Sequence, residues 1–153
     1  MGDNTMAVHS YSRCWLHLIW GTLHDEKILT SDLRSALSGY FYDYAQKKGI
    51  YMRINFVSPD HVHALIDLPR HLSIEEIFHL LKGSSSNWIN QNDFLKEKFA
   101  WAKGYAGFSV SHSKSEALVR YIANQEKRHW EMSFKEEYEK LIKKHGLIIY
   151  KEN

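Results

Sequence analysis

The chain has 153 residues, 44% of them hydrophobic and 25% charged, a composition typical of one globular domain over residues 1–153 with a buried core. Its 20 basic and 18 acidic residues leave a net charge of +2, which is too small to argue by itself for a nucleic-acid partner. No apolar run approaches the roughly 20 residues that cross a bilayer, and residues 1–10 lack an apolar signal core. We therefore expect no membrane partner, a cytoplasmic location and a flexible N-terminus at 1–10.

The first half of the chain predicts, in order, a strand at 11–21, a helix at 30–48 and two further strands at 50–57 and 61–68. The first strand has apolar side chains on both alternating faces and includes the only cysteine, Cys14, which we expect to pack within it. Gly49 ends the helix. The turn tripeptide Ser58-Pro59-Asp60 joins the next two strands and predicts a hairpin.

The second half predicts a helix at 73–91, a strand at 101–110, a helix that contains residue 121, and a closing helix at 134–145. Ser73 and Glu76 have the spacing of a capping box, and Ser113 with Glu116 repeats that spacing before the third helix. The order β-α-β-β-α-β-α-α predicts an α+β fold, a ferredoxin-like or RRM-like antiparallel sheet packed with helices.

Two histidines in the second hairpin strand form a candidate metal site. His61 and His63 point to the same face because side chains alternate along a strand, and their α-carbons should be about 6.6 Å apart at about 3.3 Å per residue. That spacing lets both imidazoles bind one metal ion. The alternative is a pair of structural histidines that are hydrogen-bonded to their neighbours, since this spacing also arises by chance.

The third predicted helix supplies a candidate nucleophile. Tyr121 and Gln125 are four residues apart and share a helical face, so a phenol and an amide oxygen project together. Lys114 and Arg128 fall on the same face, where they could meet a phosphate. With the histidine pair, these groups suit metal-assisted attack on a phosphodiester. The alternative is an ordinary amphipathic helix, which also carries lysines and a tyrosine at its boundary.

Three segments together resemble the single-tyrosine HUH transposases of insertion sequences, of the IS200-like type. They are His61-Val62-His63-Ala64-Leu65-Ile66, Lys103-Gly104-Tyr105-Ala106-Gly107-Phe108-Ser109-Val110-Ser111 and Val119-Arg120-Tyr121-Ile122-Ala123-Asn124-Gln125. The resemblance runs over nearly the whole chain. It implies that Tyr121 is the nucleophile, that His61 and His63 bind the metal, and that Gln125 completes the coordination.

The resemblance also implies Mg²⁺ or Mn²⁺, a partner of single-stranded hairpin DNA, and a homodimer in which the tyrosine helix of one protomer can serve the histidine pair of the other. Two imidazoles favour Mn²⁺ over Mg²⁺ in intrinsic affinity. A phenol with a pKa of about 10 is only roughly one part in a thousand ionised at pH 7, so the tyrosine needs the metal's help. Attack would give a 5′-phosphotyrosine, and the bound protein would associate with the nucleoid.

Several points stay open from the sequence. Further candidate phosphate contacts are Lys82, Lys103, Arg120 and Arg53, although an ordinary solvated charge is the favoured interpretation for each. A domesticated module could bind hairpin DNA without transposition activity, and a metal-dependent phosphohydrolase would use water instead of the tyrosine.

Overall fold

The structure, a computed structural model, describes residues 10–128 and 132–149. Its elements are β1 (Trp15–Gly21), α1 (Ser31–Lys47), β2 (Tyr51–Val57), β3 (His61–Asp67), α2 (Ile74–Gln91), β4 (Ala106–Val110), α3 (Ser115–Ala123), α4 (Gln125–Arg128) and α5 (Phe134–Lys144). The predicted N-terminal segment lies outside the described residues except for Ser10. Within the described ranges, no helix is long and apolar enough to cross a membrane.

The four strands form one antiparallel sheet in the order β2-β3-β1-β4. This order and these directions confirm the predicted ferredoxin-like fold. In the register of the two central strands, Ile19 of β1 lies opposite His63 of β3, while Gly21 lies opposite His61. The candidate histidines therefore lie on a central strand of the sheet, between β2 and β1.

Helices cover both faces of the sheet. On one face, α1 and α2 pack against the largest hydrophobic cluster, which includes Leu18, Trp20 and Val62. The other face carries two smaller clusters, in which α5 packs on Ile19 and α3 packs on Leu65. Because side chains alternate along β3, its histidines point to this second face, between α3 and α5.

Local capping signals explain most helix boundaries. Thr30 accepts a hydrogen bond from the backbone N–H of Leu33 at 3.3 Å. The predicted capping box of α2 is present, since Ser73 Oγ accepts from the Glu76 N–H at 3.1 Å and Glu76 Oε1 accepts from the Ser73 N–H at 3.0 Å. Gly49 ends α1 with φ of +71° and closes it in a conformation that only glycine adopts at low cost.

Two predicted strands begin later than the sequence suggests. β1 starts at Trp15, and Cys14 before it is exposed, so the prediction that this cysteine packs within the strand is wrong. Its backbone N–H donates to Asp67 Oδ1 at 2.8 Å, which places it at the sheet margin. β4 starts at Ala106 instead of residue 101, because Trp101 forms only an isolated bridge with Thr22.

The third predicted helix differs most from expectation. The capping box at Ser113 is absent: residues His112–Lys114 form a short 3-10 turn, and α3 starts after Lys114 with no side-chain cap. Glu116, the expected partner in that box, instead binds Arg53 of β2. The helix then ends at Ala123, so Gln125 belongs to the separate helix α4.

Candidate active site

The histidine pair is closed to solvent. His61 is 2% exposed and His63 is 0% exposed, and their rings lie 5.0 Å apart between centroids. Phe134 of α5 stacks on the His61 ring at 4.1 Å with an angle of 11° between the planes. The pair is therefore covered from the side of α5.

Each histidine is oriented through its Nδ1 atom. His61 Nδ1 lies 2.6 Å from Asp60 Oδ1 and 2.6 Å from Ser58 Oγ, so Nδ1–H donates to one of these oxygens and Nε2 faces the site. His63 Nδ1 lies 2.8 Å from Nε2 of the buried His17. Because His63 Nε2 also lies against the Glu137 carboxylate, the metal-free ring donates from Nε2 to Glu137 and accepts at Nδ1 from His17. A bound metal would take the place of the Nε2 proton.

Burial favours the neutral form of His17 and His63. Desolvation and the neighbouring His63 lower the pKa of His17 well below its ordinary value of 6.5. Desolvation likewise lowers the pKa of His63, although its hydrogen bond to Glu137 acts in the opposite direction. Since metal ligation requires a neutral imidazole, the lowered pKa of His63 leaves this ring ready to bind a metal.

A carboxylate that the sequence analysis missed completes the site. Glu137 of α5 brings Oε1 to 3.2 Å from His63 Nε2 and 3.7 Å from His61 Nε2. The candidate ligand atoms of these three residues all lie within 4.8 Å of one another. Burial raises the pKa of Glu137, but the hydrogen bond from His63, with help from the Tyr121 hydroxyl, outweighs it and holds the pKa at about 2. Two imidazoles and an ionised carboxylate form a set that fits a divalent metal.

The second oxygen of Glu137 connects this set to the predicted nucleophile. The Tyr121 hydroxyl donates to Glu137 Oε2, and the tyrosine ring lies 6.0 Å from the His63 ring. Gln125 is 2% exposed and donates from Nε2 to the same oxygen at 3.1 Å. The structure thus brings all four predicted site residues together, within one chain and around Glu137.

The residues predicted to contact phosphate lie in different parts of the structure. Lys114 is exposed and lines a cavity with Tyr121. Arg53 is engaged by Glu116 and by the face of Trp15, 5.5 Å from the ring centroid. Lys82 donates to the backbone oxygens of Lys103 and Gly104 at 3.0 and 3.3 Å, on the side of the sheet covered by α2. Arg120 is exposed on α3, and the Arg128 side chain lies outside the described part.

The site therefore combines a tyrosine hydroxyl, linked through Glu137, with a buried histidine pair on a ferredoxin-like sheet. The family model described as "Transposase IS200 like" matches residues 10–125. The chain therefore belongs to the IS200-like transposase family, which confirms the resemblance seen in its motifs and makes it an enzyme of the transposase kind.

Curated relatives agree with this assignment. The chain is 28% identical over 114 residues to the ISDra2 transposase TnpA of Deinococcus radiodurans, a match that covers 71% of this chain and 81% of the relative. It is 24% identical over 130 residues to the transposase of insertion sequence element IS200 from Salmonella typhimurium, with 82% of this chain and 85% of the relative covered.

Solved structures show the same fold. A transposase structure from Deinococcus radiodurans R1 superposes with a TM-score of 0.63 at 25% identity, covering 77% of this chain and 95% of that one. A REP-associated tyrosine transposase bound to a REP hairpin superposes with a TM-score of 0.57 at 15% identity, covering 80% and 72% of the two chains. At 15% identity, the likeness to the REP-associated transposase shows the fold alone.

Proposed function

We propose that this transposase cleaves and rejoins single-stranded DNA at hairpin-marked ends through a 5′-phosphotyrosine on Tyr121. The observation that carries the proposal is the hydrogen bond that holds the Tyr121 hydroxyl against Glu137, beside the buried histidine pair. The REP-associated relative, whose structure contains a hairpin, supports DNA of this kind as the substrate. The chain would then act on DNA in the cytoplasm, at the nucleoid.

A divalent metal fits this site and would be held by His61, His63 and Glu137 in the DNA-free chain. When bound, such an ion polarises a phosphodiester and stabilises charge on its oxygens. The nitrogen donors favour Mn²⁺ over Mg²⁺ in affinity. Gln125, which the resemblance implies as a ligand, here supports the carboxylate through its amide N–H.

The chain's own residues would carry the covalent step. Tyr121 Oη forms a bond to the scissile phosphorus as the bond from phosphorus to the 3′ oxygen breaks, and the phenolic proton ends on that oxygen as a free 3′-hydroxyl. The phosphotyrosine retains the phosphodiester energy, so a 3′-hydroxyl of another DNA end can reverse the step without ATP. Glu137 Oε2 orients the phenol before attack.

Access to the site requires a local rearrangement. Because both histidines are at most 2% exposed, a phosphate reaches them only after the Glu137 side chain turns aside. A phosphate oxygen carries the same charge sign as this carboxylate and can accept the same hydrogen bonds. The substrate would therefore compete with Glu137 for one position.

A single labelling experiment tests the function. Labelled single-stranded hairpin DNA is incubated with the protein and Mn²⁺, with and without chelator, and covalent adducts are separated on a denaturing gel. Tyr121→Phe should bind the hairpin and form no adduct. Tyr138→Phe, which removes a hydroxyl from α5 outside the metal-ligand set, should react like the parent protein.

The outcomes separate the three candidate functions. An adduct that needs both metal and Tyr121 supports the transposase reaction. Hairpin binding without cleavage supports a domesticated binding module, and metal-dependent cleavage without an adduct supports a phosphohydrolase. Adduct formation by Tyr121→Phe would show that another residue is the nucleophile.

We also propose a homodimer, as the family resemblance implies. Tyr121 lies beside the histidine pair of its own chain, so one chain can assemble the candidate site. A site shared between protomers is a separate proposal, which is tested by mixing protomers that carry different inactivating substitutions.

A further inference from the structure

A cavity of about 360 Å³ opens beside Tyr121, between β4, α3 and α5. Phe108 lies at its base and is 3% exposed, and the aliphatic side chains of Leu118 and Leu141 contribute to the walls. Its size is within the range of about 300–1,000 Å³ that small-ligand sites occupy. None of the reaction steps described above uses this cavity.

The cavity combines an apolar interior with positive charge. Lys114 precedes α3 and Lys144 ends α5, and both exposed side chains line the cavity although they come from separate elements. His145 stacks on Phe108 at 4.1 Å with an angle of 11° between the rings, which shows that this wall accepts a flat aromatic group. A flat aromatic ring next to an anion is the chemistry of a nucleotide.

We propose that this cavity binds the nucleotide next to the scissile phosphate. Its base takes the place of the exposed His145 ring against Phe108, and its phosphate faces Lys114 and Lys144. The inference rests on the proposed function, because it assigns a binding site to the same DNA strand that Tyr121 attacks. Unpaired DNA presents free base faces that stack on aromatic side chains, whereas paired bases are already stacked on their neighbours.

The position of the cavity explains how a strand could approach the closed histidine pair. Tyr121 and His17 line the cavity, and the same two rings border His63, at centroid distances of 6.0 and 5.1 Å. A phosphate held at the cavity mouth would therefore lie next to the tyrosine. The side chains of Glu137 and His145 would then need to move, while α5 could stay on the sheet.

The test uses a single-stranded tetranucleotide that cannot form a hairpin and that carries 2-aminopurine at each position in turn. Stacking quenches the fluorescence of this base. In Ala117→Met, a larger side chain enters the cavity from an exposed position of α3 without disturbing helix propensity. The matched control is Ala123→Met, an exposed alanine of the same helix that does not line the cavity.

We expect quenching at one position with the parent protein and with Ala123→Met. Ala117→Met should lose that quenching and bind the tetranucleotide about 5- to 150-fold more weakly, the range expected for one stacked base. Equal quenching and affinity in all three proteins, or no quenching with the parent, would overturn the inference.

Charge gives an independent readout. Lys114→Gln and Lys144→Gln should each flatten the salt dependence of tetranucleotide binding by about 0.7 in slope, and the exposed Lys140→Gln of α5 should not. Unchanged slopes in the first two variants would contradict the phosphate contacts. The adduct assay on the same proteins separates this inference from the proposed function. If the parent protein forms the adduct but the cavity variants bind the tetranucleotide as the parent does, the proposed function holds and the cavity assignment is wrong.

Discussion

Replacing Glu137 by Gln should sharply weaken metal binding, because this carboxylate is the only anionic member of the candidate ligand set. The substitution keeps the shape of the side chain and removes its charge. Changes to groups that merely orient a metal ligand cost about 10- to 100-fold in affinity. Loss of a direct anionic ligand should exceed that range, so we expect the Mn²⁺ affinity of Glu137→Gln to fall by at least about 100-fold.

Gln125→Leu provides the decisive comparison. The Gln125 amide N–H donates to Glu137 Oε2, so its loss should cost no more than about tenfold, the lower end of the range for groups that support a ligand. Glu139→Gln, a carboxylate of the same helix outside the ligand set, should leave affinity unchanged. Calorimetric titration and Mn²⁺ resonance spectra measure all three, with circular dichroism as the check on folding. A larger loss in Gln125→Leu than in Glu137→Gln would refute the assignment and restore Gln125 as the third ligand.

Two further predictions concern assembly and packing. If sites are shared between protomers, mixing Tyr121→Phe with His63→Ala should restore adduct formation, since one composite site keeps both intact groups; verified heterodimers without activity would indicate sites built within one chain. A methyl group at Gly21 would come within 2.7 Å of Phe134 Cε2, so Gly21→Ala should lower the free energy of unfolding by about 1–3 kcal/mol and weaken Mn²⁺ binding by displacing α5. Gly39→Ala meets nothing within 4 Å on α1 and should instead stabilise the protein by about 0.5–1 kcal/mol; equal stability of the two variants would contradict this account of Gly21.

The sequence predicts the fold well because the signals that specify it are local. Alternation along β3 places its two histidines on one face, and reciprocal hydrogen bonds between Ser73 and Glu76 start α2 as expected. Each of these features depends on residues a few positions apart. The sheet order then follows because the connections are short and the element order is that of a ferredoxin-like fold.

The errors arise where distant residues compete for a local partner. Glu116 has the correct spacing to cap α3, but Arg53 on β2 offers it a charged partner, and the helix starts without a side-chain cap. The expected continuous helical face from Lys114 to Arg128 is also divided, since the chain leaves helical geometry at Asn124. Gln125 still enters the site, although α4 and not the tyrosine's helix delivers it.

Glu137 was missed, although its helix carries a usable signal. Phe134 and Leu141 lie three residues before and four after it, so the carboxylate falls on the apolar face with which α5 packs on the sheet. An ionised carboxylate on such a face is costly unless a charged or hydrogen-bonding partner lies on the sheet beneath the helix. In a chain whose sheet carries two buried histidines on an otherwise apolar strand, those histidines are the natural partners. An acidic residue on the apolar stripe of a closing helix therefore predicts a ligand for the histidine pair, even though residue spacing in the sequence does not connect them.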